Sequence, residues 1–209
     1  MSIQKEIALG MLKVGAVELN ATDLFTWASG IKSPIYCDTR LTISDVEVRK
    51  QIANGLAENI KQYFPETEVV AGTATAGIPH AAWVSDVLEL PMVYVRSKPK
   101  GHGRGKQIEG KFIEGQKVVV VEDIVSTGGS SITAVEALRD AGCEVVGVVC
   151  VYTYNLPKAE QAFEEAGVKY VSLTNFDYLI EAAIETDKIK EEDIPFLKEW
   201  HADLKAGKL

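Results

Sequence analysis

Apolar residues along the chain fall into short valine-rich runs separated by stretches with helical spacing. The runs are bounded by Gly or Pro, which is typical of buried strands joined by crossover helices. The pattern therefore predicts an α/β fold with a central, mainly parallel sheet flanked by helices. The predicted strands are Val69–Ala71, Met92–Val95, Lys117–Val121, Val145–Tyr152 and Lys169–Leu173, and the predicted helices are Asp45–Tyr63, Ile78–Leu88, Gly129–Ala141 and Pro157–Ala166.

The same pattern predicts a single domain over residues 1–209. Its α/β core spans about residues 66–173, with residues 1–65 and 174–209 lying against it. Ser44 is the predicted N-cap of the long first helix of the four. The connection 97–115 is too long for a simple turn and rich in glycine, which predicts a mobile loop with a functional role.

Composition narrows the classes of function. The chain is 46% hydrophobic and 25% charged, as in an ordinary globular protein, and its formal net charge is −8. A nucleic-acid binder normally presents a basic face, so this balance argues against nucleic acid as a partner. Any phosphate-bearing ligand must therefore be held by a local cluster of donors.

Cysteine usage and hydropathy indicate a cytoplasmic protein. Cys37, Cys143 and Cys150 are widely spaced and form no CxxC pair, so neither a disulfide framework nor a zinc site is predicted. No apolar run approaches the roughly 18 residues of a membrane span. Residues 1–20 are interrupted by charged side chains, unlike a secretion signal.

The segment Val118–Ser131 carries the clearest chemistry. It runs from a buried strand through Glu122 and Asp123 into a Ser/Thr/Gly loop and then into a helix. Such a loop presents free N–H groups, hydroxyls and the positive end of the helix dipole, which suit a phosphate monoester. The two carboxylates would repel that phosphate and are better explained as acceptors for sugar hydroxyls. A ligand with phosphate and ribose is implied.

This segment resembles the signature of the type I phosphoribosyltransferases, which bind the 5′-phosphate and ribose of phosphoribosyl pyrophosphate. A Walker A lysine and a GxGxxG pattern are both missing, so a nucleotide hydrolase is the poorer match. The resemblance implies the fold of that family, with a hood built from the two terminal segments.

Three other segments extend the resemblance over nearly the whole chain. Gly72–Gly77 is similar to a pyrophosphate loop, although a glycine-bounded turn is often merely structural. Arg96–Gly103 resembles the mobile loop of orotate phosphoribosyltransferases, with a solvated charge run as the alternative. Ser29–Asp38 resembles the SGxxSPxY/F element that lies against orotate, where Tyr36 either stacks on the pyrimidine or is simply half-buried.

Some cations found in the enterobacterial branch of this family are replaced here. Ala28, Ala76 and Ser97 stand where those enzymes have cations, and Tyr152–Asn155 shows no match for their orotate-binding arginine. Another residue must therefore read the orotate carboxylate. Arg40 and Lys32 are the candidates, unless both are surface cations.

The resemblance implies transfer of ribose 5-phosphate from phosphoribosyl pyrophosphate to orotate in pyrimidine biosynthesis, assisted by Mg²⁺ that the substrate and water hold. It implies Lys100, His102 and Asp123 as catalytic residues. His102 either protonates the leaving pyrophosphate or merely donates a hydrogen bond to it. The residues expected to bind phosphoribosyl pyrophosphate are Thr75, Ala76, Arg96, Lys100, His102, Glu122, Asp123, Ile124, Val125, Ser126, Thr127, Gly128, Gly129 and Ser130, and those expected to bind orotate are Tyr36, Lys32, Arg40 and Ser126.

The resemblance also implies a homodimer whose loops complete each other's active sites. Two other functions remain open at this stage. A purine phosphoribosyltransferase would share the phosphate loop, but the SGxxSP element argues against it. A regulator that senses phosphoribosyl pyrophosphate and binds nucleic acid would need a basic surface or a winged-helix extension, which this acidic sequence lacks.

Overall fold

The computed structural model describes residues 2–27, 30–98 and 107–209 of the chain. Its helices are α1 (Ile3–Lys13), α2 (Val46–Tyr63), α3 (Gly77–Leu88), α4 (Gly129–Asp140), α5 (Pro157–Glu165), α6 (Phe176–Glu185) and α7 (Ile194–Lys205), with 3₁₀ turns at Thr39–Ser44 and Glu191–Asp193. Its strands are β1 (Val17–Leu19), β2 (Phe25–Thr26), β3 (Lys32–Ser33), β4 (Ile35–Cys37), β5 (Val69–Thr73), β6 (Met92–Val95), β7 (Ile108–Glu109), β8 (Lys117–Val125), β9 (Glu144–Thr153) and β10 (Tyr170–Asn175).

Six strands form the central sheet in the order β10-β9-β8-β5-β6-β7. All neighbours are parallel except β6 and β7, which pair antiparallel. The predicted α/β fold with a mainly parallel sheet is therefore confirmed. In a parallel sheet the carboxyl ends of the strands lie at the same edge. The site lies at this edge.

Alternate residues of β8 face opposite sides of the sheet. Val119 and Val121 belong to a core shared with α1, α2, α3, α6 and α7, whereas Val118 and Val120 belong to a second core shared with α4 and α5. All four valines are fully buried. Burial on both faces explains why this strand is a continuous valine run rather than an alternating pattern.

The N-terminus of α2 differs from the prediction. Ser44 ends the preceding 3₁₀ turn, and the N-cap is Asp45, whose carboxylate accepts hydrogen bonds from the backbone N–H groups of Glu47 and Val48 at 3.0 Å each. Both residue types are good caps, so sequence alone did not separate two neighbours. The predicted Ser44 cap is wrong by one residue.

The segment 97–115, predicted as a loop, is not a loop throughout. Ile108 and Glu109 form β7, which pairs with Val95 and Tyr94 of β6. Ile108 is only 6% exposed, so its burial holds this return strand on the sheet. Residues 99–106 lie outside the described part of the chain.

The terminal segments meet each other beside the sheet. Trp200 of α7 donates its indole N–H to the carbonyl of Lys32 at 2.9 Å, and the ring of Trp27 packs edge-on against Trp200. His201 shares a 2.7 Å hydrogen bond with the carbonyl of Tyr154, just beyond β9. The C-terminal helix thus supports both the β2–β3 ribbon and the end of β9. Within the described ranges, none of the helices combines the length and apolarity that crossing a membrane requires.

Candidate active site

The predicted acidic pair lies in the last part of β8. This strand is longer than predicted because Ile124 and Val125 continue to pair with Tyr152 and Thr153 of β9. The Val125 side chain is 1% exposed and packs in the core, so any ligand contact there involves its backbone. The chain then turns through exposed Ser126 and Thr127.

Gly128 makes the turn into α4 possible. Its φ of 84° lies in the left-handed region, where glycine pays no Cβ penalty, and it is the N-cap of the helix. No side chain caps the helix start, and Gly129 at its first position is exposed. Backbone N–H groups at this end of α4 therefore face solvent beside the loop, which is the arrangement expected for a phosphate site.

Glu122 is buried and held by protein donors. One carboxylate oxygen accepts from the Thr73 hydroxyl at 2.6 Å and the Asp123 N–H at 3.0 Å. The other accepts from the hydroxyls of Ser130 at 2.9 Å and Ser131 at 3.2 Å. Burial, reinforced by the neighbouring Asp123, raises the pKa of Glu122 to about 7. The predicted contact with ribose hydroxyls would have to compete with these four donors.

Asp123 is half-buried and opens onto a cavity of about 480 Å³. One of its carboxylate oxygens accepts a 2.5 Å hydrogen bond from the hydroxyl of Thr39. The structure brings this acid together with the predicted residues Thr75, Ala76, Ile124 and Arg40. The cavity is lined by Cys37, Asp38, Thr39, Arg40, Thr75, Ala76, Asp123 and Ile124.

A second cavity of about 310 Å³ adjoins the first at Cys37. It joins Tyr36 and Ser126, which the sequence assigned to orotate, although they are far apart along the chain. Tyr36 is 43% exposed, and its ring packs against Phe25 at a centroid distance of 5.8 Å. The cavity is lined by Thr26, Trp27, Tyr36, Cys37, Ser126 and Tyr154.

Cys37 lines both cavities, but its thiol is not a candidate nucleophile. Burial, with the Asp123 and Asp38 carboxylates nearby, raises the pKa of its thiol well above the usual range. The thiol is therefore protonated at neutral pH, whereas nucleophilic cysteines act as thiolates.

Arg40 and Lys32, the two residues expected to bind the orotate carboxylate, lie in different places. Arg40 lines the Asp123 cavity, where its guanidinium makes a bidentate pair with Asp38 at 2.6 and 2.8 Å. Lys32 lies on β3, and its ammonium donates at 2.7 Å to the hydroxyl of Thr26, which lines the Tyr36 cavity. Of these two cations, Lys32 is therefore the one beside the Tyr36 cavity.

Arg96 lies at the base of the predicted mobile loop. Its backbone N–H donates to the Gln107 carbonyl at 2.9 Å, and the Gln107 side-chain amide donates to the Arg96 carbonyl at 2.8 Å. The Arg96 guanidinium is 3.6 Å from the Glu109 carboxylate. With Ser130 it lines a small third cavity of about 90 Å³. The other predicted loop residues, Lys100 and His102, lie outside the described residues.

Gly77, in the predicted pyrophosphate loop, is required by the protein's own packing. A Cβ at this position would lie 2.4 Å from the Thr73 hydroxyl and 2.5 Å from the Val121 carbonyl oxygen. The absence of a side chain lets α3 begin directly against β8, which leaves exposed Thr75 and half-buried Ala76 at the cavity wall.

Thr39, Trp27, Tyr154 and Thr73 were not singled out from the sequence. Thr39 follows the SGxxSPxY element directly, so its position offered a signal. Tyr154 lies in the strand-end segment noted above for its missing arginine. Thr73 lies in the predicted pyrophosphate loop Gly72–Gly77, but its hydrogen bond to Glu122 depends on a distant strand. Trp27 carried no such signal, because its contacts are with distant parts of the chain.

Comparison with known proteins places this geometry in a family. Residues 41–180 match the sequence model of the phosphoribosyl transferase domain. The chain is 62% identical over 200 residues to an orotate phosphoribosyltransferase of Listeria monocytogenes serotype 4b, covering 96% of both chains.

Two solved structures share the fold. An orotate phosphoribosyltransferase from Aeropyrum pernix superimposes with a TM-score of 0.75 at 32% identity, over 84% of this chain and 96% of that one. That of Mycobacterium tuberculosis, in complex with 5-phospho-α-D-ribosyl 1-diphosphate, gives 0.64 at 28% identity, over 84% and 98%.

Proposed function

We propose how catalysis is divided among the residues of this chain, which belongs to the phosphoribosyltransferase family and is an orotate phosphoribosyltransferase. The reaction of pyrimidine biosynthesis transfers ribose 5-phosphate from phosphoribosyl pyrophosphate to orotate, giving orotidine 5′-phosphate and pyrophosphate. The residue assignment rests on one observation. Two cavities share the lining residue Cys37, and one of them is lined by Asp123 and the other by Tyr36.

Phosphoribosyl pyrophosphate binds along the carboxyl ends of β5 and β8. The 5′-phosphate accepts hydrogen bonds from the N–H groups and hydroxyls of residues 126–130. The positive end of the α4 dipole lies beside it and favours its negative charge. Asp123 accepts hydrogen bonds from the ribose hydroxyls. The pyrophosphate lies against Thr75 and Ala76, which line the same cavity. Glu122 contributes by holding the Ser130 hydroxyl at the phosphate loop.

Orotate binds in the Tyr36 cavity, with its ring against Tyr36 and its edge towards Ser126. Lys32 reads the carboxylate, because it lies beside this cavity, whereas the Arg40 guanidinium is already paired with Asp38 next to the ribose. Orotate N1, once deprotonated, attacks the anomeric carbon directly, and the bond from that carbon to the pyrophosphate oxygen breaks. Asp123 favours the positive charge that develops on the ribose ring in this step.

Mg²⁺ would be held mainly by oxygens of the substrate and water, with Asp123 nearby. When bound, the ion offsets charge on the pyrophosphate oxygens. Within the described ranges no group of three or more His, Cys, Asp or Glu side chains is arranged to hold a metal ion. A partly exposed Asp123 with adjacent threonine hydroxyls fits an ion that brings its own oxygen ligands.

The departing pyrophosphate needs further donors, which we assign to Arg96, Lys100 and His102. Arg96 is at the edge of the sheet beside Ser130. The other two belong to the segment 99–106, which in a homodimer serves the partner's site. Ala76 replaces the expected cation on the pyrophosphate loop, so donors must come from elsewhere. The enzyme works in the cytoplasm, where its three free cysteines stay reduced.

A base panel tests the assigned substrate. Orotate, uracil, adenine and hypoxanthine are each mixed with the enzyme, phosphoribosyl pyrophosphate and Mg²⁺, and pyrophosphate release is followed. We expect rapid release with orotate alone and its loss on chelation of Mg²⁺. Comparable turnover of a purine, or full activity after chelation, would contradict the assignment.

A further inference from the structure

We propose that Thr39 is a positioning residue for the transfer reaction, since its hydroxyl fixes the carboxylate of Asp123 and links it to the base-binding segment. The proposal deepens the proposed function and rests on its assignment of Asp123 to the ribose. The residues are 84 positions apart in sequence, yet the Thr39 hydroxyl donates to Asp123 Oδ2 at 2.5 Å. Hydrogen bonds from a hydroxyl to a carboxylate are charge-assisted and among the stronger ones in proteins.

The electrostatics around Asp123 explain why such a donor is needed. Glu122 is the adjacent residue, and its carboxyl group shares the end of β8 with Asp123. Two neighbouring carboxylates repel each other when both are ionised. Thr39 holds one Asp123 oxygen by a direct hydrogen bond and thereby leaves the other oxygen to face the ribose.

Thr39 itself has little freedom to move. It is 1% exposed, its carbonyl accepts from the Thr42 hydroxyl at 2.6 Å, and the preceding N–H of Asp38 donates to the Ala16 carbonyl at 2.7 Å. A donor held this way presents its hydroxyl in one direction. The position of the Asp123 carboxylate is therefore set by the N-terminal segment and not by β8 alone.

The same short segment carries the contact surface for the base. Tyr36, three residues before Thr39, lines the orotate cavity, and Cys37 lines both cavities. If this segment shifts when the base binds, the hydrogen bond from Thr39 would move the Asp123 carboxylate with it. Loss of the hydroxyl is expected to lower kcat more than it raises the KM for phosphoribosyl pyrophosphate, because the carboxylate remains present but is misplaced.

Four variants and a control test the proposal. Thr39→Val removes the hydroxyl with little change of shape, and Thr39→Ser keeps a hydroxyl that can still donate. Asp123→Ala removes the acceptor, and the double variant Thr39→Val with Asp123→Ala completes a cycle. Thr174→Val is the matched control, because Thr174 is 1% exposed on β10 and its hydroxyl has no hydrogen-bond partner among the described residues.

We expect Thr39→Val to lower kcat roughly tenfold, as for loss of a hydrogen bond to a charged group. Thr39→Ser should recover most of that loss, and Thr174→Val should keep wild-type kcat. In the Asp123→Ala background, adding Thr39→Val should change the single-turnover rate little, since its target is gone. Thermal unfolding shows whether Thr39→Val is folded. If it is not, Thr39→Ala replaces it in every comparison.

Three results would overturn the proposal: wild-type kcat in the Thr39 variant, no recovery by serine, or an equal loss with and without Asp123. Failure of the proposed function is distinguishable, because Asp123→Ala alone would then keep the wild-type rate, or the wild-type enzyme would release no pyrophosphate with orotate.

Discussion

At the scale of single residues, two adjacent acids of β8 differ in their surroundings. Glu122 points into the protein and accepts from three hydroxyls and one N–H, whereas Asp123 faces the cavity and accepts from Thr39. The difference follows from the donors around each carboxylate, because hydroxyls from β5 and α4 surround Glu122 whereas Thr39 donates to Asp123. The sequence presented the two as an equivalent pair, and their separate environments arise from residues that the fold brings to each carboxylate.

Burial of Glu122 predicts a specific dependence of stability on pH. Its pKa is raised from 4.5 in the unfolded chain to about 7 in the folded one, first by burial and then by Asp123. Between these values the folded state retains a proton that the unfolded state has released. The stability contributed by this group is therefore full below about pH 4.5 and is lost as pH rises through about 7.

The comparison with Glu122→Gln isolates this contribution, because glutamine does not titrate. The free energy of unfolding of the wild type minus that of the variant should fall from about pH 5 to about pH 7 and then level off. Denaturant unfolding at several pH values measures it. A difference that is constant, or that rises with pH, would show that the Glu122 pKa is not raised.

At the scale of secondary-structure elements, the sequence located every strand of the parallel sheet and the helices α2, α3, α4 and α5, but not α1, α6 or α7, which pack on the same sheet. Burial on both faces leaves continuous apolar runs at β5, β8 and β9, and the sequence identified the half-buried β6 and β10 from shorter apolar stretches. It missed β1, β2, β3, β4 and β7, which are two or three residues long and carry too few positions to show a period. It also ended β8 before Glu122, since charged residues rarely continue a buried strand unless distant hydroxyls satisfy them.

The start of α3 is predicted to tolerate no side chain. Gly77→Ala would place a Cβ within 2.5 Å of the Val121 carbonyl oxygen and closer still to the Thr73 hydroxyl. Relieving this overlap means moving α3 from β8, at a cost of about 1–3 kcal/mol or more. Thermal unfolding should show a clearly lower Tm for this variant.

Gly129→Ala is the matched control, because Gly129 also occupies the first position of a helix beside β8. A Cβ there meets nothing within 4 Å, so its Tm should stay close to that of the wild type. Equal Tm values for the two alanine variants would contradict the packing argument.

At the scale of the whole molecule, the site is made by four distant parts of the chain. Residues 36–40 supply one wall, the loops after β5 and β8 supply another, and Tyr154 after β9 closes the base cavity. The family resemblance indicated these segments before the structure placed them together. The contact between Thr39 and Asp123 and the place of Lys32 could not be predicted, because they depend on how the N-terminal segment folds onto the sheet.

Subunit mixing tests the proposed sharing of sites in a homodimer. Lys100→Ala and Asp123→Asn are each expected to be nearly inactive. If the segment 99–106 serves the partner's site, a mixed dimer contains one site with both native residues, and mixing should restore up to about a quarter of the wild-type activity. If each chain serves its own site, every site in the mixture keeps one defect and no activity returns.

The structure of the enzyme with orotidine 5′-phosphate tests the arrangement of the two cavities most directly. The account predicts the 5′-phosphate on the N–H groups of 126–130, the ribose hydroxyls on Asp123, and the pyrimidine ring against Tyr36 with its carboxylate towards Lys32. A pyrimidine ring in the cavity beside Thr75 and Arg40, or a ribose out of reach of Asp123, would contradict it.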